Sequence, residues 1–143
     1  MVKILFVCHG NICRSPMAEY ILKDMVKKAG KSDEFQIASA AVSREEIGNP
    51  IYPPAQQELQ RHGISGAEHR ARQITQEDYR SFDRIYYMDV KNRRYLSRML
   101  PENPQKIRSL LDHDVADPWY TGDFVSTWQD LYEGCQKIME EFA

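Results

Sequence analysis

After the lysine, residues Lys3 to Cys8 are apolar at every position. This is the pattern of a strand buried on both faces of a parallel sheet. Apolar residues then recur at Met17, Ala18, Ile21, Leu22, Met25 and Val26, the spacing of a helix face. Pro16 suits the first turn of that helix, where its missing N–H costs nothing, and Gly30 supplies a stop. Phe35 to Ser39 predicts a second short strand. Ala40 to Pro54, interrupted by Gly48, Asn49, Pro50, Pro53 and Pro54, predicts a loop. Ala55 to His62 reads as a helix closed by Gly63. A third apolar strand spans Arg84 to Met88 and ends at Asp89, followed by a helix from about Lys91 to Met99 that stops before Pro101. Lys106 to Leu110 predicts a fourth strand and Asp112 to Gly122 a loop. The last helix is the clearest, since Phe124, Trp128, Leu131, Cys135, Ile138 and Phe142 form one apolar stripe.

Strands alternating with helices imply an α/β fold, with a small parallel sheet of about four strands flanked by helices. At 143 residues, the chain (1–143) is expected to form one domain. In such sheets ligands bind beyond the C-terminal strand ends, where Cys8, Ser39 and Asp89 are expected to lie. A net charge of −2 and a pI near 6.1 argue against nucleic acid as a partner. No apolar run approaches a membrane span, and the N-terminus leads into a strand rather than a signal peptide, so no membrane partner is expected. Cys8, Cys13 and Cys135 are sparse and odd in number, which suits the reducing cytoplasm better than a disulfide scaffold. No second cysteine pair stands at zinc-ligand spacing, so no metal or other cofactor is expected. A monomer is the favoured state.

The stretch between the first strand and the first helix reads Cys8-His9-Gly10-Asn11-Ile12-Cys13-Arg14-Ser15-Pro16. A tight loop opening a helix turns backbone N–H groups toward a common centre and makes an anion site. Residues 9 to 15 are therefore the phosphate-binding candidates, and Gly10 and Asn11 suit positive-φ positions within such a loop. A cysteine beneath that site is expected to be a thiolate nucleophile, since the field that holds an oxyanion also stabilises S⁻. Arg14 adds a planar fork of donors for two oxygens of a tetrahedral anion. Ser15 is a helix cap, a donor to the Cys8 sulfur, or both.

The stretch Cys8 to Pro16 resembles the signature of the low-molecular-weight protein tyrosine phosphatases, and the resemblance extends along essentially the whole chain. Ser39-Ala40-Ala41-Val42-Ser43, Gly48, His69-Arg70-Ala71-Arg72-Gln73 and Met88-Asp89 match in order and position, and Asp117-Pro118-Trp119-Tyr120-Thr121-Gly122 is similar to the family's acid loop. The resemblance implies hydrolysis of phosphotyrosine in proteins or peptides, and of small aryl phosphates, through a phosphocysteine intermediate. It also implies Asp117 as general acid in preference to Asp112 and Asp114, which spacing alone leaves as rivals. Ser39 and His69 become supports of Asn11. Asp89 either holds Arg14 or a loop N–H, or caps the helix that follows. The pocket walls are expected to be Ile12, Trp119, Tyr120 and Glu45.

Glu45 departs from the aromatic residue that many family members carry there. It predicts weaker packing on an aryl ring and a preference for basic residues beside the phosphotyrosine. Cys13 is close enough in sequence to pair with an oxidised Cys8 and protect it. Cys135 falls on the apolar stripe of the last helix and is expected in the core, while His9, His62 and His113 carry no signal beyond surface or loop histidines. Three other functions compete. Thiol-dependent arsenate reduction needs further mid-chain cysteines, and none lies between Cys13 and Cys135. In protein-arginine phosphatases the position of Ile12 tends to be threonine. A non-catalytic phosphate-binding module would leave Cys8, Arg14, Ser15 and Asp117 without a purpose.

Overall fold

The computed structural model describes residues 1–142. Its centre is β1 (Val2–Cys8), paired in parallel with β2 (Phe35–Ala41) on one side and β3 (Arg84–Tyr87) on the other. β4 (Ile107–Ser109) extends the sheet beyond β3, giving the order β2-β1-β3-β4 with every pairing parallel. The helices are α1 (Arg14–Lys28), α2 (Pro53–Arg61), α3 (Gln76–Ser81), α4 (Val90–Met99), α5 (Pro118–Thr121) and α6 (Phe124–Glu141), with a 3-10 turn over Ser32–Glu34.

The uninterrupted apolar run of β1 has a direct cause. Ile4, Phe6 and Cys8 face a core shared with Met17, Ile21 and Leu22 of α1 and with Leu131, Cys135 and Ile138 of α6. Leu5 and Val7 face a second core made with Ile74, Phe82, Ile85, Leu96 and Leu100. Each face of the sheet is thus covered, as a parallel sheet requires. Cys135 is fully buried and free, and burial pushes its thiol pKa up. None of the helices is long and apolar enough to cross a membrane among the described residues.

The structure departs from the sequence pattern at four places. First, α3 was not predicted, because six residues are too few to show a helical apolar period. Its signal is the capping box, in which the Thr75 hydroxyl accepts from the Asp78 N–H and the Asp78 carboxylate accepts from the Thr75 N–H. Second, a single turn, α5, forms inside the predicted 112–122 loop, started by Pro118 and closed by Gly122 in the left-handed region. Third, β2 runs on to Ala41, so Ser39 lies inside the strand opposite Phe6 rather than at its end. Fourth, His62 is no simple loop residue. It caps α2, lies flat on Trp128 of α6 (centroids 3.6 Å apart, planes 1° apart) and sits 3.0 Å from the buried Glu58 carboxylate. Helix α2 packs against α6, and that contact brings the two rings together.

Gly134 sits within α6 where a Cβ would fall 2.5 Å from Cγ of Leu110. Gly134→Ala gains about 1 kcal/mol of helix propensity. Overpacking against buried Leu110 costs about 1–3 kcal/mol. The expected net result is a lower thermal midpoint, by up to about 6 °C, and a raised midpoint would show that Leu110 moves aside freely.

Candidate active site

The site is built around the loop between β1 and α1. Its carbonyls are taken by partners on every side. Cys8 accepts from Val42 N–H, His9 from Ser43, Ile12 from Tyr52 and Cys13 from Met17, at 2.8–3.1 Å. No acceptor among the described residues takes the N–H groups of Gly10 to Cys13. This division leaves a cup of free donors under partial positive charge at the start of a fifteen-residue helix.

Asn11 is the hub of the loop. It is completely buried and has a φ of 61°. Its Nδ2 donates to the Ser15 hydroxyl at 2.8 Å and to the Ser39 hydroxyl at 2.9 Å. Its Oδ1 accepts from the Arg72 N–H at 3.1 Å, and its carbonyl is 2.7 Å from Nε2 of His69. A carbonyl only accepts, so Nε2 of His69 carries the proton. Burial lowers the His69 pKa, outweighing the opposing pull of the Asn11 carbonyl and Glu19, which keeps the ring neutral and in this tautomer. Ser39 passes its own hydrogen to Glu19, 2.6 Å away. Ser39 and His69 thus both contact Asn11, one at its side chain and the other at its carbonyl.

The network gives the Ser15 hydroxyl a direction. Because Asn11 already donates to Ser15 Oγ, the serine's single hydrogen is free for Cys8 Sγ, 3.0 Å away. The Ser15 N–H also points at the sulfur, at 3.4 Å. Cys8 is buried at the bottom of the cup, with both donors directed at it.

Arg14 is the largest buried polar side chain, with 2% of its surface exposed. Its Nη1 donates to Asp89 at 2.7 Å and to the Val115 carbonyl at 2.8 Å, while Nη2 lies 3.4 Å from Asp117. Although burial opposes its charge, Cys8 and Asp117, and then Asp89, hold the guanidinium pKa above its ordinary value. Asp89 meets Arg14 through one oxygen, and its other oxygen accepts from the Asn92 N–H as the cap of α4. Asp117 likewise starts α5, accepting from the Trp119 N–H at 3.0 Å, while turning its second oxygen to Arg14. Of the three acidic candidates only Asp117 reaches Arg14. Asp112 pairs with His113 at 3.0 Å, and Asp114 lies in the groove beyond.

A cleft opens above Cys8 between Ile12, Glu45, Glu46, Asp117, Trp119 and Tyr120, with Cys13 also in its wall. Ile12 is packed against Ala71, Tyr52 and Phe124. Trp119 leans on Tyr52 at 4.7 Å, and Tyr120 stands 82% exposed at the mouth. Glu45 contacts Nε2 of His9 at 3.1 Å, so the His9 side chain belongs to the rim. Burial and then the neighbouring Cys8 raise the Cys13 thiol pKa.

Sequence reasoning missed four contributors to the site. Glu46 packs over Gly10, whose Cβ would fall 3.3 Å from the Glu46 Cγ. Glu19 and Arg72 complete the Asn11 network, and Tyr95 meets the edge of His9. The one-turn separation of Ser15 and Glu19 along α1 could have suggested Glu19, and Arg72 lies in the His69–Gln73 stretch that the family resemblance singles out.

Comparison with known proteins agrees with this geometry. The family model "Low molecular weight phosphotyrosine protein phosphatase" matches residues 3–143. YfkJ of Bacillus subtilis, a low molecular weight protein-tyrosine-phosphatase, is 40% identical over 147 residues, covering 97% of this chain and 94% of its own. Its crystal structure superposes with a TM-score of 0.95 over 99% of this chain and 94% of that one. The human low molecular weight phosphotyrosine protein phosphatase is 39% identical over 148 residues, covering 97% and 92% of the two chains. The crystal structure of SP-PTP from Streptococcus pyogenes gives a TM-score of 0.90 at 39% identity, covering 100% of this chain and 94% of that one. The chain belongs to the low molecular weight phosphotyrosine protein phosphatase family.

Proposed function

We propose that this protein hydrolyses phosphotyrosine in protein or peptide substrates through a phosphocysteine on Cys8, with Arg14 holding the phosphoryl group and Asp117 moving the proton. The observation that carries this reading is the placement of Cys8 Sγ under a cup of free N–H groups, with Arg14 buried against Asp117 beside it.

The phosphoryl oxygens accept from the loop N–H groups of residues 9 to 15 and from Nη2 and Nε of Arg14, since Nη1 is anchored to Asp89 and Val115. Donors set in advance around the position of growing charge lower the barrier without reorganising. Cys8 Sγ attacks phosphorus in line with the phenolic oxygen. As the P–O bond breaks, Asp117 gives its proton to that oxygen and tyrosine leaves. In the second step the Asp117 carboxylate takes a proton from water, whose oxygen attacks phosphorus. The S–P bond breaks and inorganic phosphate departs. The Ser15 hydroxyl, 3.0 Å from the sulfur, stabilises the returning thiolate. None of these steps calls for a metal. The aryl ring of the substrate fits between Ile12, Trp119 and Tyr120, which leaves Glu45 and Glu46 against the residues flanking the phosphotyrosine. Three buried free thiols support a reducing, cytoplasmic setting, and we take the working form to be a monomer that needs neither nucleic acid nor membrane.

Hydrolysis of p-nitrophenyl phosphate in the presence of EDTA tests the chemistry. Cys8→Ser is expected to abolish turnover, and Asp117→Ala to lower kcat by about 10²–10³-fold. Unchanged turnover in Asp117→Ala would move the acid elsewhere. Glu45→Trp is expected to lower KM for aryl phosphates by about 2- to 10-fold and to weaken hydrolysis of peptides with a basic neighbour. Unchanged affinity would remove Glu45 from the pocket wall.

Oxidation offers a further test. Conversion of Cys8 to a sulfenic acid gives Cys13, which lines the same cleft, an electrophilic sulfur to attack, and the disulfide closes with loss of water. Inactivation by peroxide is therefore expected to be reversed by added thiol in the wild type and not in Cys13→Ala. Equal recovery in both would disprove protection by Cys13.

A further inference from the structure

The cleft above Cys8 does not end at the acid loop. A second groove shares His9, Arg14, Asp117 and Tyr120 with it and continues to the start of α4. Lys91 and Arg94 line this extension, three residues apart and therefore on one face of the helix. Both are exposed, and neither is ion-paired among the described residues. Asp89 beneath them is already neutralised by Arg14. Asp114 is the carboxylate on the groove's far side that has no ion-pair partner among the described residues. Tyr95 forms part of the wall and meets the edge of His9.

The two sides of the mouth therefore carry opposite charge. Glu45 and Glu46 stand on one flank of the phosphate loop, Lys91 and Arg94 on the other, and His9 lies between, tied to Glu45 and touching Tyr95. An unpaired cation in the first turn of α4 does nothing for the helix, whose N-terminal end favours acids. A phosphotyrosine seated over Cys8 leaves its neighbouring residues to run along one flank or the other. An anionic neighbour is repelled by the glutamates and attracted by the groove.

We propose that the groove between α4 and the Asp117 loop is a specificity subsite for an anionic side chain close to the phosphotyrosine in the same substrate, recognised by Lys91 and Arg94. The inference rests on the assignment of the Cys8 cup as the phosphotyrosine site. The anion is a carboxylate or a second phosphoryl group, and matched peptides distinguish the two.

The test compares kcat/KM for phosphotyrosine peptides that differ only in one neighbour, placed on either side as Glu, Gln, Lys or a second phosphotyrosine. Turnover of p-nitrophenyl phosphate, which has no group to place in the groove, reports the integrity of the catalytic centre. The wild type is expected to prefer an anionic neighbour over Gln on one side of the phosphotyrosine by about fivefold, the scale of two exposed ion pairs. The preference should fade as salt is raised. The double variant Lys91→Ala/Arg94→Ala is expected to lose the preference, and Lys91→Glu/Arg94→Glu to reverse it toward Lys, with p-nitrophenyl phosphate turnover retained in both. A larger preference for Glu identifies a carboxylate as the natural occupant, and one for the second phosphotyrosine identifies a phosphoryl group. Equal rates across the wild-type series, or a preference that survives in the double variants, would overturn the subsite. Failure of the wild type to hydrolyse any substrate would instead sink the phosphatase assignment on which it rests.

Discussion

The fixed conformation of Asn11 is the constraint on which the site depends. A residue other than glycine at a φ of 61° costs about 1–2 kcal/mol. Four hydrogen bonds, buried to Ser15, Ser39 and His69 and partly buried to the Arg72 N–H, offset that cost at about 1 kcal/mol each. They also do something glycine could not, because a side-chain amide held from both ends fixes the loop's shape as well as permitting it. The turn at Asn11 leaves the free N–H groups of the loop above Cys8. Its grip on Ser15 leaves one hydroxyl hydrogen for the sulfur.

A second constraint ties this loop to the far half of the chain. Arg14 is buried, and a buried cation needs partners. It finds them in Asp89, at the end of the crossing from β3 to α4, and in Val115 and Asp117, beyond β4. Each carboxylate also caps a helix, so its position is set by the backbone before Arg14 arrives. The guanidinium is thereby oriented, and the Asp117 carboxylate is held beside it in the wall of the cleft above Cys8. The parallel sheet makes this convergence possible, since all its strands point the same way and their following loops gather at one end.

Around this centre the chemistry grows less general. The cup and its arginine suit any phosphate monoester, while Ile12 adds an aliphatic wall and Trp119 and Tyr120 aromatic ones. The outer ring, acidic at Glu45 and Glu46 and basic at Lys91 and Arg94, is where this chain can express a preference of its own.

Much of the site was legible because its parts are local in sequence. Cys8 to Ser15 form the cup within a single strand–loop–helix step, and β1 announced its two-sided burial by being apolar at successive positions. The capping box that starts α3 was also written in the chain, but six residues give no apolar period to confirm it. The sequence by itself determined the strand–loop–helix step that carries Cys8 and Arg14, the four strands and the longer helices, since each follows from neighbouring residues and short-range periodicity. Only the tertiary structure decided that Glu19 and Arg72 brace Asn11, that Glu46 covers Gly10, that His62 lies on Trp128 and that Lys91 and Arg94 face the same mouth. Most of these contacts join residues far apart in the chain, and polar or charged side chains of ordinary surface type carry no mark of their partners until the sheet brings the loops together.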